Sequence, residues 1–323
     1  MPTQNQRTDF GCVKLNSHQV FVVAGKRNLS GLQRCDIFDL ETSRWSRSPD
    51  LPIEMKFCRA TLVGDYVYVC GYYKEFYRLD IENLTAGWQR LPSLKVDGLG
   101  CELVSDSRYI YRIGDNYERT TFHRYDTKYN VWEILPSLSQ GRDMFGATIV
   151  GGEIYAIGGR SGPSGDTILK SVEIYNSSIN SWRSGPELPR SLFGHSIHAI
   201  GDFIFVSGGQ RSYSSKPLAS MLVLDTMSQE WSPLYLHLPF GTVGHSMISS
   251  GWNLFLIGGC SNSEHMIHGD IIMIKLDQDL YRPRQSSMDL SLNQKSKVRM
   301  RRRTSLSSLL SKAFSTAQVV VED

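Results

Sequence analysis

The chain has 323 residues, of which 41% are hydrophobic, 21% charged and 11% aromatic, and its formal net charge is +3. That length holds one large domain or two small ones, with ample material for a buried core, and no run approaches the roughly 18–20 apolar residues of a membrane span. The opening MPTQNQRTDF has neither an apolar core nor a small-residue cleavage site, so the expected setting is cytoplasmic, with the nucleus open and no integral membrane segment.

The charge is uneven. Residues 281–323 carry nine Lys and Arg side chains against Asp289, Glu322 and Asp323, which leaves the body mildly acidic and speaks against nucleic-acid binding. The cysteines (Cys12, Cys35, Cys58, Cys70, Cys101, Cys260) are scattered, with no Cys-x-x-Cys pair. That argues against a zinc module or a disulfide framework and suits buried or free thiols in a reducing compartment.

A ten-residue lead-in (1–10) precedes a repeat. The first strings are GCVKLNSHQVFVVAG (11–25), RATLVGDYVYVCG (59–71) and CELVSDSRYIYRIG (101–114). Stronger copies follow in GATIVGGEIYAIGG (146–159), GHSIHAIGDFIFVSGG (194–209) and GHSMISSGWNLFLIGG (244–259). Their glycine pairs, Gly158-Gly159, Gly208-Gly209 and Gly258-Gly259, recur at a constant spacing. In the first five units an apolar-alternating string ending in Asp or Asn comes next, then Trp45, Trp88, Trp132, Trp182 or Trp231, and finally Leu-Pro.

Each unit reads as four short strands. The glycines suit a crowded step near a central channel, Asp or Asn suits a hairpin turn, and Trp fills the gap between neighbouring sheets. A single four-stranded sheet cannot bury both of its faces, so six must pack radially. The expected fold is all-β, a six-bladed β-propeller over 11–283 with repeats at about 11–52, 58–92, 100–136, 146–189, 194–239 and 244–283. Repeat one supplies all four of its strands, and Tyr281 stands in for Trp in the fourth strand of repeat six.

The paired glycines, the Tyr or Asp and the downstream Trp in register resemble the kelch repeat. Repeats two and three depart from it, with Cys70-Gly71 and Ile113-Gly114 where the double glycine is expected. The resemblance implies a protein-recognition propeller, in its most specific form a ubiquitin-ligase substrate adaptor, or else a cytoskeletal or signalling scaffold. Similar cullin adaptors often carry a BTB domain before the repeats, whereas here the first blade starts near residue 11. The resemblance also admits an enzyme, either a copper oxidase or a small-molecule isomerase or lyase. His195 and His245, each after a Gly, are the tempting metal pair, but further ligands are missing, so no metal, cofactor or catalytic residue is assigned.

In a propeller, the loops joining strands two and three and those joining blades emerge on one face. Arg27, Arg142, Arg160, Arg190, Arg211 and Tyr213 would ring that mouth, joined by Tyr72, Tyr73 and Tyr117 from the short-looped blades. Arg offers a planar fork for carboxylates and Tyr stiff, amphipathic contact area. Similar kelch receptors bind acidic peptide segments through Arg and Ser at such positions, so the expected partner is a protein, with an acidic segment as its contact.

Residues 284–323 read as a disordered basic tail. Near 305–317, Leu306, Leu309, Leu310, Ala313, Phe314 and Ala317 fall on one helical face. Such a face suits a membrane surface or a partner's groove. Arg302-Arg303-Thr304-Ser305 resembles a basophilic kinase site, which makes Ser305 a candidate phosphosite. Ser308-Leu309 with Ala313 and Ala317 is similar to a relaxed Elongin C-binding box, a route to a ligase subunit.

Overall fold

A computed structural model of the protein describes residues 6–71, 73–93, 100–114, 120–162, 165–261, 267–276 and 319–322. These form six four-stranded antiparallel sheets, two small hairpins and one 3-10 turn. The sheets are blades one to six in chain order. Their first strands are Gly11–Lys14, Arg59–Val63, Glu102–Ser105, Gly146–Val150, Phe193–Ile200 and Ser246–Ser250. Each first strand touches the next around a closed ring, blade six against blade one included, and all six line one central cavity. The fold is the expected six-bladed propeller.

The second strands read as nearly continuous apolar runs (QVFVV, YVYVC, YIYRI, EIYAI, NLFLI) because neighbouring blades cover both of their faces, so alternation disappears. The buried side chains fall into six clusters, one at each seam between adjacent blades, and no cluster crosses the ring. Stability is therefore shared among six interfaces rather than held by one core.

The Asp/Asn turns work as expected. Asp126 Oδ1 accepts the backbone N–H groups of Lys128 and Tyr129 at 2.9 and 3.2 Å, and Asn130 closes the turn with a φ of 56°. Asp39, Asn176 and Asp225 repeat the arrangement. The tryptophans fill the seams and also tie them: Trp88, Trp132, Trp182 and Trp231 donate their indole N–H to the carbonyls of Pro49, Pro92, Pro136 and Pro186 in the preceding blade, each at 2.9 Å.

The glycine pair is a requirement of packing. Gly158 and Gly159 have φ of 62° and 95°, and a Cβ on Gly159 would lie 2.7 Å from the Asp143 carbonyl oxygen. Strand register shows that Gly71 and Gly114 hold the place of the first glycine of the pair, with Cys70 and Ile113 ending the strand before it. In blade one, Ala24 takes that first place, with a φ of 55°.

Blade six differs from the expectation. Its fourth strand is Val319–Glu322, antiparallel to Ile271–Lys275 with Ile271 opposite Glu322, rather than a segment around Tyr281. A sheet edge accepts any extended segment that reaches it in register, and proximity in sequence decided for the wrong one. Tyr281, Ser305 and the 305–317 segment lie outside the described residues.

Candidate recognition face

Each chain path into a first strand bends through one residue in the left-handed region: Asp9 (φ 53°), Phe57 (49°), Gly100 (77°), Met144 (47°), Gly194 (65°) and Gly244 (64°). The next residue then points into the seam, and at four seams it is an aromatic ring. Phe10, Phe145, His195 and His245 lie where a Cβ on Gly258, Gly114, Gly158 and Gly208 would fall within 2.9 Å of a ring carbon. His195 and His245 thus occupy the place that phenylalanine takes elsewhere. Burial lowers their pKa to about 4 and about 3, so both are neutral at physiological pH. His245 Nε2 contacts Ser207 Oγ at 2.7 Å. Among the described residues no three His, Cys, Asp or Glu side chains come together as a metal site.

The central cavity holds about 390 Å³. Its polar lining is largely paired internally: Arg59 with Glu102 at 2.7 Å, Thr61 with Ser105 at 2.6 Å, and His198 with Ser249 at 2.9 Å.

The loops between second and third strands and those between blades do share one end of the ring. The backbones of Asp143 and Arg160 bridge there, as do those of Thr8 and Lys26. Of the nine side chains expected on this face, Arg142 is misplaced. It is fully buried, donates to the carbonyls of Gly158 and Ser171 at 3.0 and 3.1 Å, and pairs with Glu173 at 2.8 Å. A partner cannot reach it, and the correction has a physical reason: Glu173 on the third strand needs a buried counter-charge. Arg7, which sequence reasoning passed over, repeats this at blade one, where it pairs with Asp36. The signal was present in QRTDFG (6–11) beside GRDMFG (141–146).

Arg160 is half-buried, held by Asp143 at 2.5 Å, and it donates to the hydroxyl of Tyr213 at 2.6 Å. The Tyr213 hydroxyl itself donates to the Gly165 carbonyl at 2.8 Å, while its ring stays 54% exposed. Arg27 sits at the tip of the hairpin Lys26–Arg27/Ser30–Gly31, and Tyr73 is 50% exposed. Tyr72 and Tyr117 lie outside the described residues. Arg190 donates to Ser220 Oγ at 2.7 Å, and its pKa is lowered by partial burial and then by the neighbouring charge of Arg211. Among the described residues neither Arg190 nor Arg211 has a carboxylate partner, so two like charges share one stretch of the mouth.

A radial ring of four-stranded meanders with paired glycines and seam-tying tryptophans defines a repeat propeller, and the comparisons give its kind. The kelch motif profile matches residues 141–189 and 191–234. The chain is 29% identical over 178 residues to Kelch-like protein 33 of Homo sapiens, covering 54% of this chain and 26% of that protein. It is 27% identical over 217 residues to human Kelch-like protein 34, covering 65% and 28%. To Kelch-like protein 36 of Rattus norvegicus it is 30% identical, covering 47% and 24%. A solved structure titled "Structure of YjhT" superposes with a TM-score of 0.69 at 12% identity, covering 85% of this chain and 96% of that one, a likeness of fold alone. The chain carries kelch motifs in its six-bladed β-propeller and resembles the Kelch-like proteins, of whose length it spans about a quarter.

Proposed function

We propose that the propeller is a non-enzymatic protein-recognition module that takes an acidic segment of its partner on the loop face, at Arg190 and Arg211. One observation carries this reading. The arginines Arg7, Arg142 and Arg160 are committed to Asp36, Glu173 and Asp143, whereas Arg190 and Arg211 repel one another and lack an acid among the described residues. A carboxylate between two guanidiniums relieves that repulsion and accepts charge-assisted hydrogen bonds. Ser220, the half-exposed Tyr213 ring and Arg27 supply the rim.

The test is affinity purification with mass spectrometry, comparing the wild type with Arg190→Glu/Arg211→Glu. The expected result is loss of specific partners with an unchanged melting temperature. Full retention by a folded double variant would remove the assignment.

The finer roles are a ubiquitin-ligase substrate adaptor and a cytoskeletal or signalling scaffold. Deleting 284–318 while keeping Val319–Glu322 separates them without removing the outer strand of blade six. Cullin or Elongin subunits lost on that deletion make the tail a ligase anchor. Partners retained without ligase subunits make the propeller a scaffold.

A further inference from the structure

At the seams the second-strand residue just before the glycine position of one blade meets the residue that opens the next blade. At the seam of blades five and six this pair is Ser207 and His245, in contact at 2.7 Å. At the seam on the opposite side of the ring, between blades two and three, the same two places hold Cys70 and Cys101, with their sulfurs 4.0 Å apart. A thiol thus ends the second strand of blade two and faces a thiol that stands where four other seams carry an aromatic ring.

We propose that Cys70 and Cys101 form an oxidisable dithiol that closes to a disulfide across the seam of blades two and three, with a hydroperoxide as the oxidant. The sulfurs must approach by about 2 Å to reach bonding distance, a movement that side-chain rotation supplies in part and a small shift of the seam completes. The two thiols have different roles. Cys101 is drawn toward its thiolate, chiefly by its hydrogen bond with Cys70 and then by the charges of Arg112 and Arg59. Cys70 is raised by the same contact. Elsewhere burial drives Cys12 and Cys35 up to about 12 and Cys58 higher still, so those thiols stay protonated and inert.

The chemistry balances as follows. The Cys101 thiolate attacks one peroxide oxygen, the O–O bond breaks, and the departing hydroxide takes a proton to become water. The resulting sulfenic acid is attacked by Cys70, the S–O bond breaks, and a second water leaves with the Cys70 proton as the S–S bond forms. Two thiols lose two electrons and hydrogen peroxide gains them. Cys101 is 0% and Cys70 3% exposed, so the rate is set by transient opening of the seam. The link would add a covalent tie to two blades that, among the described residues, share packing, hydrogen bonds and the Arg59–Glu102 ion pair, and so raise the melting temperature.

The full chain, reduced and then exposed to graded hydrogen peroxide, is denatured, alkylated and mapped by peptide mass spectrometry. The expected product is a Cys70–Cys101 linked peptide, the two thiols disappearing together, with reversal by dithiothreitol. Cys70→Ser, which installs the residue found at the equivalent place in blade five, should arrest Cys101 as a sulfenic acid captured by dimedone. Cys101→Ser should leave Cys70 reduced. The proposal is overturned if the half-buried Cys12 oxidises while Cys70 and Cys101 remain free thiols, or if Cys101 in the Cys70→Ser protein takes up no dimedone. Should a serine variant fail to fold, the linked peptide in the wild type decides alone.

Discussion

The loops leading into blades four and five each carry an arginine, and the two have opposite fates. Arg142 is driven under the surface by Glu173, while Arg190 stays at the rim and, among the described residues, bonds a serine hydroxyl. The two hold different places: the place of Arg142 in blade five is taken by the buried Leu192, over Leu222 where blade four has Glu173, and Arg190 stands two residues earlier, where blade four has Gln140 bonded to Ser171. An arginine two residues before the left-handed bend is drawn under the surface where the third strand offers an acid, as Arg7 over Asp36 and Arg142 over Glu173 show.

The contrast can be broken first at its buried end. Arg142→Ala leaves Glu173 without its counter-charge and should cost about 3–5 kcal/mol, read as a lower urea midpoint. The double variant Arg142→Leu/Glu173→Leu, which imitates blade five, should recover most of that loss. If the single variant unfolds no more easily than the wild type, the buried pair is not holding the loop.

Acid probes the buried histidines of the next two loops. The folded pKa of His195, about 4, lies below the ordinary value of 6.5, so the unfolded chain binds the proton more readily. Stability is therefore complete above pH 6.5 and falls as the pH drops from there toward 4. The slope is at most about 1.4 kcal/mol per pH unit for each histidine. His195→Phe, copying Phe145, should flatten the curve of urea midpoint against pH over that window, and an identical curve for the variant would count against the buried-neutral ring.

Smaller effects sharpen the picture at the seams. Trp182→Phe keeps an aromatic ring but removes the indole N–H from the Pro136 carbonyl, for an expected loss of about 1 kcal/mol. Arg190→Glu alone should change stability by less than about 0.5 kcal/mol, because its sole side-chain partner among the described residues is Ser220. A large loss there would mean that this arginine too is structural.

The propeller was legible in the chain because its signals are local and repeated: Gly pairs, Asp turns and Trp residues each act within a few residues of where they are written. The outer strand of blade six was not, since its edge is filled by Val319–Glu322 from far along the chain and no local pattern announces that pairing. The residues of the loop face were legible in part. Loop position marked Arg160, Arg190 and Tyr213 as residues of the mouth, but the burial of Arg142 depended on Glu173, a pairing visible only by aligning blades one and four with each other.

That distant strand also has a consequence for how the molecule is made. When Leu276 leaves the ribosome, five blades can be complete, yet Ile271–Lys275 still waits for its neighbour. At translation speeds of roughly 5–20 residues per second, the 46 further residues to Glu322 take on the order of two to nine seconds. Through that interval the nascent protein exposes an open β-edge of IIMIK, the kind of template that other chains add to. Completion of the sixth blade is therefore a late event of synthesis, and the edge it covers is the place where a folding helper would have most to shield.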